Sequence, residues 1–221
     1  MIISNTTSCT LAFVIILVFI IIHCIKNKKY KELIACIVLT ISMIVLMTAL
    51  GKTNIIKDYI KLGSETTQVA TGNADTTFGS NRFYIWKNTL PIIPKNLLHG
   101  VGVDNFYYAF DGKPLASHHG IYYDKVHNEY LQILVTEGLV CLLAYLSMYG
   151  LICFKGFKYY LKSKKMCLLI PVVAYLIQAF FNISVIEVAP VFFMALGLCA
   201  TSNLEDKIED KRKVKNKKVK V

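Results

Sequence analysis

The feature that most constrains this chain is its long runs of uncharged apolar residues. Residues 11–22 read LAFVIILVFIII and residues 33–50 read LIACIVLTISMIVLMTAL, with no charge in either run. The whole chain is 55% hydrophobic, whereas a soluble domain is about 45–50% apolar even when glycine is counted. A bilayer core of about 30 Å needs about 20 apolar helical residues to cross it. The sequence therefore predicts an integral membrane protein and excludes a soluble enzyme.

The same runs predict an all-α, polytopic membrane protein with about five transmembrane helices and one large external loop that contains short helices. The segment NISVIEVAP (182–190) divides the last apolar region, so the short fifth span either crosses the membrane or re-enters it. The predicted spans are residues 9–25, 33–50, 131–154, 166–182 and 188–201. The chain then consists of two N-terminal spans (1–50), the large loop (51–130), the C-terminal spans (131–201) and a basic tail (202–221).

Lysine placement predicts the orientation of these spans. Residues 26–32 carry four Lys and one Glu, residues 155–165 carry five Lys and no acid, and residues 201–221 carry eight basic and four acidic residues. Short loops rich in Lys stay in the cytoplasm. With five spans, this rule places the N-terminus and the 51–130 loop outside the cell and the C-terminus in the cytoplasm.

The formal net charge of +11 could suggest nucleic-acid binding. The excess of positive charge lies beside predicted spans on the cytoplasmic side, which is typical of membrane topology and of attraction to anionic lipid. All seven cysteines fall in or beside apolar spans, and no CxxC motif occurs. We therefore expect the lipid bilayer as a partner, no nucleic acid and no disulfide framework.

The large loop holds most of the side chains that could perform chemistry. It contains Arg82, one of two arginines in the chain, and four of the five histidines, at positions 99, 118, 119 and 127. Phe83, Trp86 and Leu90 recur at helical spacing, and Pro91 follows them. This pattern predicts a short amphipathic helix that Pro91 ends, with Arg82 in its first turn.

Two short motifs follow in the loop. Gly100 and Gly102 precede Asp104 and Asn105, which predict a turn and a helix N-cap. A GxG of this kind is a weak signal for phosphate binding.

The end of the loop places His127 at the start of the third predicted span, where either His127 or Asn128 could cap the helix. The positive end of a helix dipole can hold a phosphate and disfavours imidazolium, so we expect a neutral His127 that can accept a proton.

Several segments together resemble the O-antigen ligase and polysaccharide polymerase superfamily. They are the segment with Ser80, Arg82 and Trp86, then HGVGVDNF (99–106), HNEYLQILVTEGLVCLLAYL (127–146) and FFNISVIEVAP (180–190). The resemblance covers roughly residues 75–200. It corresponds to the C-terminal half of such a protein, because the family usually has more spans before the loop.

The resemblance implies a multi-pass glycosyltransferase of the bacterial plasma membrane. Such enzymes move a glycan from a polyprenyl diphosphate carrier, such as undecaprenyl diphosphate, to the hydroxyl of a glycan or lipid acceptor, such as lipopolysaccharide, without a metal or other cofactor. Arg82 corresponds to a family arginine proposed to grip the diphosphate, and His127 to a histidine proposed to deprotonate the acceptor. The further candidates for substrate binding are Asn128, Gly100, Gly102, Trp86 and Lys125.

Two other functions stay open. One is a non-enzymatic transporter or assembly partner in polysaccharide export. The other is a membrane metallohydrolase, in which His118, His119, Asp124 and His127 could supply zinc ligands. The family also commonly uses more than one arginine near the diphosphate, and Lys87, Lys95 or Lys125 could replace the missing one. Ligase and polymerase activity are both compatible with the sequence.

Overall fold

A computed structural model of the chain describes residues 7–49, 81–110, 115–116, 120, 122–163 and 169–201. Within these residues the secondary structure is helical, and the one β-type pairing is an isolated bridge between Ala116 and Tyr122. The predicted all-α class is confirmed for this part of the chain. The predicted basic tail (202–221) and the first thirty residues of the predicted loop, 51–80, lie outside it.

Helices α1 (Thr7–Lys26) and α2 (Tyr30–Ala49) form an N-terminal pair and pack against each other. They cover the first two predicted spans. A short turn joins them, in which the Lys29 N–H donates to the Cys24 carbonyl over 2.8 Å. Helix α2 exposes many apolar side chains, among them Ile34, Val38, Leu39, Ile41 and Val45. Apolar surface of this extent on a helix suits contact with lipid, because the helix satisfies its own backbone.

Helix α3 (Arg82–Thr89) forms where the loop helix was predicted, and Arg82 is its first residue. The predicted apolar face is wrong, because Phe83 and Leu90 are exposed. Ile85 and Thr89 form its buried face, one turn apart. Pro91 ends the regular helix as expected, because proline removes a backbone donor. The chain continues through two short 3-10 turns, Leu90–Ile92 and Pro94–Asn96, and later through a third, Phe106–Tyr108.

The prediction of one continuous helix over 131–154 is wrong. The chain forms α4 (Glu129–Thr136) and α5 (Leu139–Ser163), with a break at Glu137 and Gly138. Gly138 has φ +91°, and its Cα approaches the carbonyl of Leu98 so closely that a side chain would overlap it. The Leu139 N–H donates to the Leu97 carbonyl over 2.7 Å rather than to a carbonyl of α4. A tertiary contact therefore ends α4.

Helices α6 (Leu169–Ala179) and α7 (Ala189–Thr201) follow, and α6 packs against α1 and α5. Among the described residues, α5 is the one helix long and apolar enough to cross a membrane. The shorter apolar helices are Ala12–Lys26, Leu169–Ala179 and Ala189–Thr201. The all-helical structure and α5 agree with a membrane protein, while the count of five spans and their orientation stay predictions.

The buried side chains form two separate clusters. The first, called the loop cluster here, lies between α3, the 3-10 turns and α4, and comprises Ile85, Phe106, Ala109, Leu115, Val126 and Val135. The second, called the helix cluster, lies between α5, α6 and α7, and comprises Tyr149, Val172, Phe192, Leu196 and Cys199. The candidate site belongs to the loop cluster.

Candidate functional site

Arg82 is held at the site by the buried face of α3. Ile85 is completely buried in the loop cluster, and its N–H donates to the Asn81 carbonyl over 3.0 Å. Thr89, also completely buried, donates its hydroxyl to the Ile85 carbonyl over 2.7 Å. The two hydrogen bonds support the helix itself, and the burial of Ile85 holds it against the loop cluster. Arg82, in the first turn, is half-buried beside the segment that carries His127.

His127 lies immediately before α4 in the left-handed region, with φ +55°. Asn128, the next residue, is the N-cap, because its side-chain oxygen accepts a hydrogen bond from the Leu131 N–H over 3.0 Å. This resolves the two alternatives that the sequence left open. A left-handed conformation costs a residue other than glycine about 1–2 kcal/mol, and such conformations persist where the surroundings hold them, often at functional sites.

Val126, the residue before His127, is held by buried contacts. Val126 is completely buried in the loop cluster. Its N–H donates to the Gln132 side chain over 2.8 Å, and its carbonyl accepts a hydrogen bond from the Trp86 indole over 3.0 Å. Both backbone polar groups of Val126 are therefore satisfied by side chains from α3 and α4. The backbone is therefore held in place directly before His127.

The electrostatic surroundings of His127 favour its neutral form. Burial lowers the pKa of the half-buried imidazole, the positive charge of Arg82 lowers it further, and Asp124 opposes the shift. The prediction from the helix dipole had the right direction, although burial and Arg82 are the causes identified here. Because the charge of Arg82 acts on His127, the fold brings together two residues that are far apart in sequence.

Gly100 and Gly102 contact the end of α4. The N–H of Val101 donates to the Val135 carbonyl over 2.9 Å, and the N–H of Gly102 donates to the Thr136 carbonyl over 2.8 Å. Gly100 has φ +65°, and a side chain there would overlap the backbone of Thr136. Its own N–H donates to the Asn96 carbonyl over 2.8 Å. Since these three N–H groups already have carbonyl acceptors, the contacts favour a structural role for both glycines over a phosphate-binding role.

Lys125, another candidate for substrate binding, also has a protein partner. Lys125 forms an ion pair with Asp104, which joins the GVG segment to the segment that carries His127. Asp104 is in the predicted turn, with φ +63°. Asn105 precedes the Phe106–Tyr108 turn but makes no side-chain cap, and its amide donates to the Val101 carbonyl over 3.2 Å instead. The expected turn is present, and the expected cap is not.

Glu129 has a role that the sequence did not indicate. Its carboxylate is buried and accepts hydrogen bonds from the Tyr145 hydroxyl over 2.6 Å and from the Tyr175 hydroxyl over 3.1 Å. Burial raises the pKa of Glu129, and these two bonds, with one from the backbone of Ser184, act in the opposite direction. Glu129 thus ties the start of α4 to α5 and α6. No local sequence pattern predicts these two hydrogen bonds, because both tyrosines are distant from Glu129 in sequence.

Glu137, an acid within the predicted third span, lies at the break between α4 and α5, where it is half-buried at the C-cap of α4. In the described part of the chain, no group of three or more His, Cys, Asp or Glu residues could hold a metal ion. His118 and His119, on which the zinc alternative depends, lie outside the described residues.

The comparisons with known proteins agree with the resemblance seen in the sequence. A family model described as O-antigen ligase matches residues 1–146. The match includes α1 to α4 and the start of α5, and therefore Arg82 and His127. It differs from the predicted extent, 75–200, because it begins at the first residue and ends before α6. No curated protein matches the chain significantly.

Proposed function

Because the chain belongs to the O-antigen ligase family, we propose that it transfers a saccharide from a polyprenyl diphosphate to an acceptor hydroxyl at the outer surface of the bacterial plasma membrane. Membership of the family makes it a membrane protein of glycan transfer. The donor, the side of the membrane and the residue roles are the proposal. The observation that carries it is the convergence of Arg82 with a half-buried His127.

In this reaction His127 is the general base. Its imidazole removes the proton from the acceptor hydroxyl while the acceptor oxygen attacks the anomeric carbon of the donor sugar. The bond between that carbon and the diphosphate breaks, and the polyprenyl diphosphate leaves with the electron pair. A base that is neutral near pH 7 suits this step, and general-base assistance typically contributes about 10²–10⁴-fold to the rate. Burial and Arg82 both keep His127 in that form.

Arg82 is the proposed partner of the diphosphate. A guanidinium stays protonated and offers paired N–H donors that match phosphate oxygens. Negative charge grows on the leaving diphosphate during bond breaking, so a fixed cation there stabilises the transition state more than the ground state. Asn128 and Lys125 lie beside His127 in the chain and stay candidates for substrate contact.

The site must face the membrane surface, because the polyprenyl tail stays in the bilayer while its phosphates lie at the interface. His127 and α4 come directly before α5, the helix that is long enough to cross. The opposite end of α5 carries Lys155, Lys158 and Lys162. Since lysines mark the cytoplasmic end of a span, the end near His127 would face outward.

The test replaces His127 by asparagine in a producing bacterium that lacks the chromosomal gene. Asparagine tolerates the left-handed backbone but cannot act as the base. We expect surface polysaccharide on a gel to fall about 10²–10⁴-fold, while the protein remains in the membrane fraction. The deletion strain without any added copy of the gene also separates two activities. Chains lost from their anchor indicate a ligase, and chains shortened to one unit indicate a polymerase.

The matched control is His99→Asn, which changes an exposed histidine of the same loop and should leave the polysaccharide unchanged. Unaltered polysaccharide in His127→Asn would reject the proposal in favour of a non-enzymatic export partner. Loss of transfer with a chelator, in purified protein that contains stoichiometric zinc, would reject it in favour of the metallohydrolase.

A further inference from the structure

Trp86 connects the two residues of the proposed reaction. It lies one helical turn after Arg82 on α3, so both side chains project from the same side of that helix. Its indole N–H donates to the carbonyl of Val126, the residue before His127. We propose that Trp86 is a positioning residue that fixes the separation between Arg82 and His127. This inference rests on the proposed function and assigns Trp86 a role other than binding the sugar.

The contacts of the indole favour positioning over sugar stacking. The ring of Phe180 meets it edge-on with centroids 5.7 Å apart, and the ring of Phe181 lies at 6.4 Å. Both phenylalanines belong to the connection that follows α6. The indole therefore packs against the protein on that side and donates its only N–H to the backbone. A sugar platform would instead present an open ring face to the substrate.

The acceptor of this hydrogen bond is itself fixed. Val126 is completely buried, and its N–H is bound by Gln132 of α4. Movement of the Val126 carbonyl would therefore disturb the loop cluster as well as α4. Trp86 thus links α3 to a rigid point one residue from His127, and a change in this link is transmitted to the distance between Arg82 and the imidazole.

That distance has two measurable consequences. A displacement of about 1 Å at a reacting group can lower a rate about 10²-fold. The second consequence is electrostatic, because the charged groups that act on His127 are Arg82 from α3 and Asp124 from its own segment. If Arg82 moves away, its effect weakens while that of Asp124 remains, and the pKa of His127 rises.

The first experiment compares Trp86→Phe with Tyr84→Phe. Both variants remove one hydrogen bond from α3 to a backbone carbonyl and keep an aromatic ring. The Tyr84 hydroxyl, however, donates to the carbonyl of Ala116 over 3.0 Å and not to the residue before His127. We expect Trp86→Phe to lower surface polysaccharide about 10- to 100-fold at an equal level of membrane protein, and Tyr84→Phe to leave it unchanged.

The second experiment follows the His127 imidazole by NMR in the purified full chain, with labelled histidine and with His127→Asn to assign its signal. We expect its pKa to rise in Trp86→Phe and to stay unchanged in Tyr84→Phe. The chain contains a single tryptophan, so biosynthetic replacement by benzothienylalanine, which lacks the N–H, changes this position alone. It should raise the same pKa while keeping the ring size, which covers the case that Trp86→Phe folds poorly.

Normal transfer in Trp86→Phe would overturn the positioning role, and so would reduced transfer with an unchanged pKa of His127 in both replacements. These results leave the proposed function intact if His127→Asn is inactive. Unaltered polysaccharide in His127→Asn would instead reject the proposed function itself, so the two failures are distinguishable.

Discussion

The loop cluster and the helix cluster are stabilised in different ways. In the loop cluster, side chains satisfy the backbone: Trp86 and Gln132 bind the two polar groups of Val126. In the helix cluster, aromatic rings pack, with Tyr175 stacked on Phe192 at 3.7 Å between centroids. The reason is physical. A helix satisfies its own backbone in lipid, whereas an irregular segment must find each partner elsewhere.

The difference shows where this chain depends on individual residues. The helices around the helix cluster need apolar side chains of suitable size, and many sequences meet that requirement. The loop needs particular donors, acceptors and glycines at particular positions. Glu129 joins the two regions, because it lies at the start of α4 and binds tyrosines of α5 and α6. The five predictions below test this contrast.

The largest effect is expected for Gly138→Ala. A Cβ at this position overlaps the Leu98 carbonyl, and φ +91° is unfavourable for alanine. The conformation alone costs about 1–2 kcal/mol, and the overlap adds to this, so we expect reduced membrane levels and a lower Tm in detergent. Gly150→Ala is the control, because a Cβ there meets nothing within 4 Å inside α5. Equal Tm losses in both variants would contradict the contrast.

The next effect is expected for Glu129→Ala, which leaves two half-buried tyrosine hydroxyls without their acceptor. Loss of one partner of a buried hydrogen bond costs about 1–3 kcal/mol, so the Tm should fall clearly. Glu129→Gln keeps an acceptor of similar shape, so its Tm should fall less. A smaller loss in Glu129→Ala than in Glu129→Gln would show that these bonds do not tie the loop to the helices.

The raised pKa of Glu129 also predicts a pH dependence of stability. An acid whose pKa is higher in the folded than in the unfolded state binds more protons when folded. The free energy of unfolding is therefore largest below the unfolded pKa and decreases as the pH rises through the folded pKa. Relative to wild type, Glu129→Gln should lack this contribution in a series of Tm measurements from acidic to neutral pH.

A smaller effect is expected for Arg82→Gln on the imidazole. Removal of the cation should raise the pKa of His127, although burial continues to lower it. NMR titration measures this shift, with Lys87→Gln as a control, since Lys87 is an exposed cation of the same helix. If both variants change the pKa of His127 equally, Arg82 is not closer to the imidazole than Lys87 is.

The smallest effect is expected for the ion pair of Lys125 and Asp104. The Asp104 side chain is 73% exposed, and exposed pairs typically contribute about 0–1 kcal/mol. Lys125→Gln and Asp104→Asn should therefore change the Tm slightly and equally. If Lys125→Gln lowers transfer much more than Asp104→Asn does, Lys125 contacts the substrate in addition to its partner.

Features with a local cause could be predicted from the sequence. The apolar runs predicted α1 and α2. The spacing of Phe83, Trp86 and Leu90, followed by Pro91, predicted the place of α3 but not its buried face, which Ile85 and Thr89 form. The break at Gly138 could not be predicted, because its cause is a contact with Leu98 in a distant segment. Periodicity alone would continue the helix there.

The same distinction holds for the candidate site. Arg82 and His127 could be singled out from their types and from the family resemblance, but the partners that hold them could not. The contacts of Trp86 with Val126 and of Glu129 with Tyr145 join segments that only the folded chain brings together. Their residue types are common in loops and helices, so no local pattern marks them.

The length of α5 gives the site a fixed height. Its 25 residues rise about 37 Å at 1.5 Å each, more than the roughly 30 Å of a hydrocarbon core. In the proposed orientation, lysines on its last turns lie at the cytoplasmic headgroups, and Glu129 joins α4 to α5 through Tyr145. The length of α5 therefore sets the distance between the site and the lysine-bearing end. Under the proposed function, bilayer thickness sets the depth of the imidazole relative to the donor diphosphate, so transfer should depend on lipid chain length.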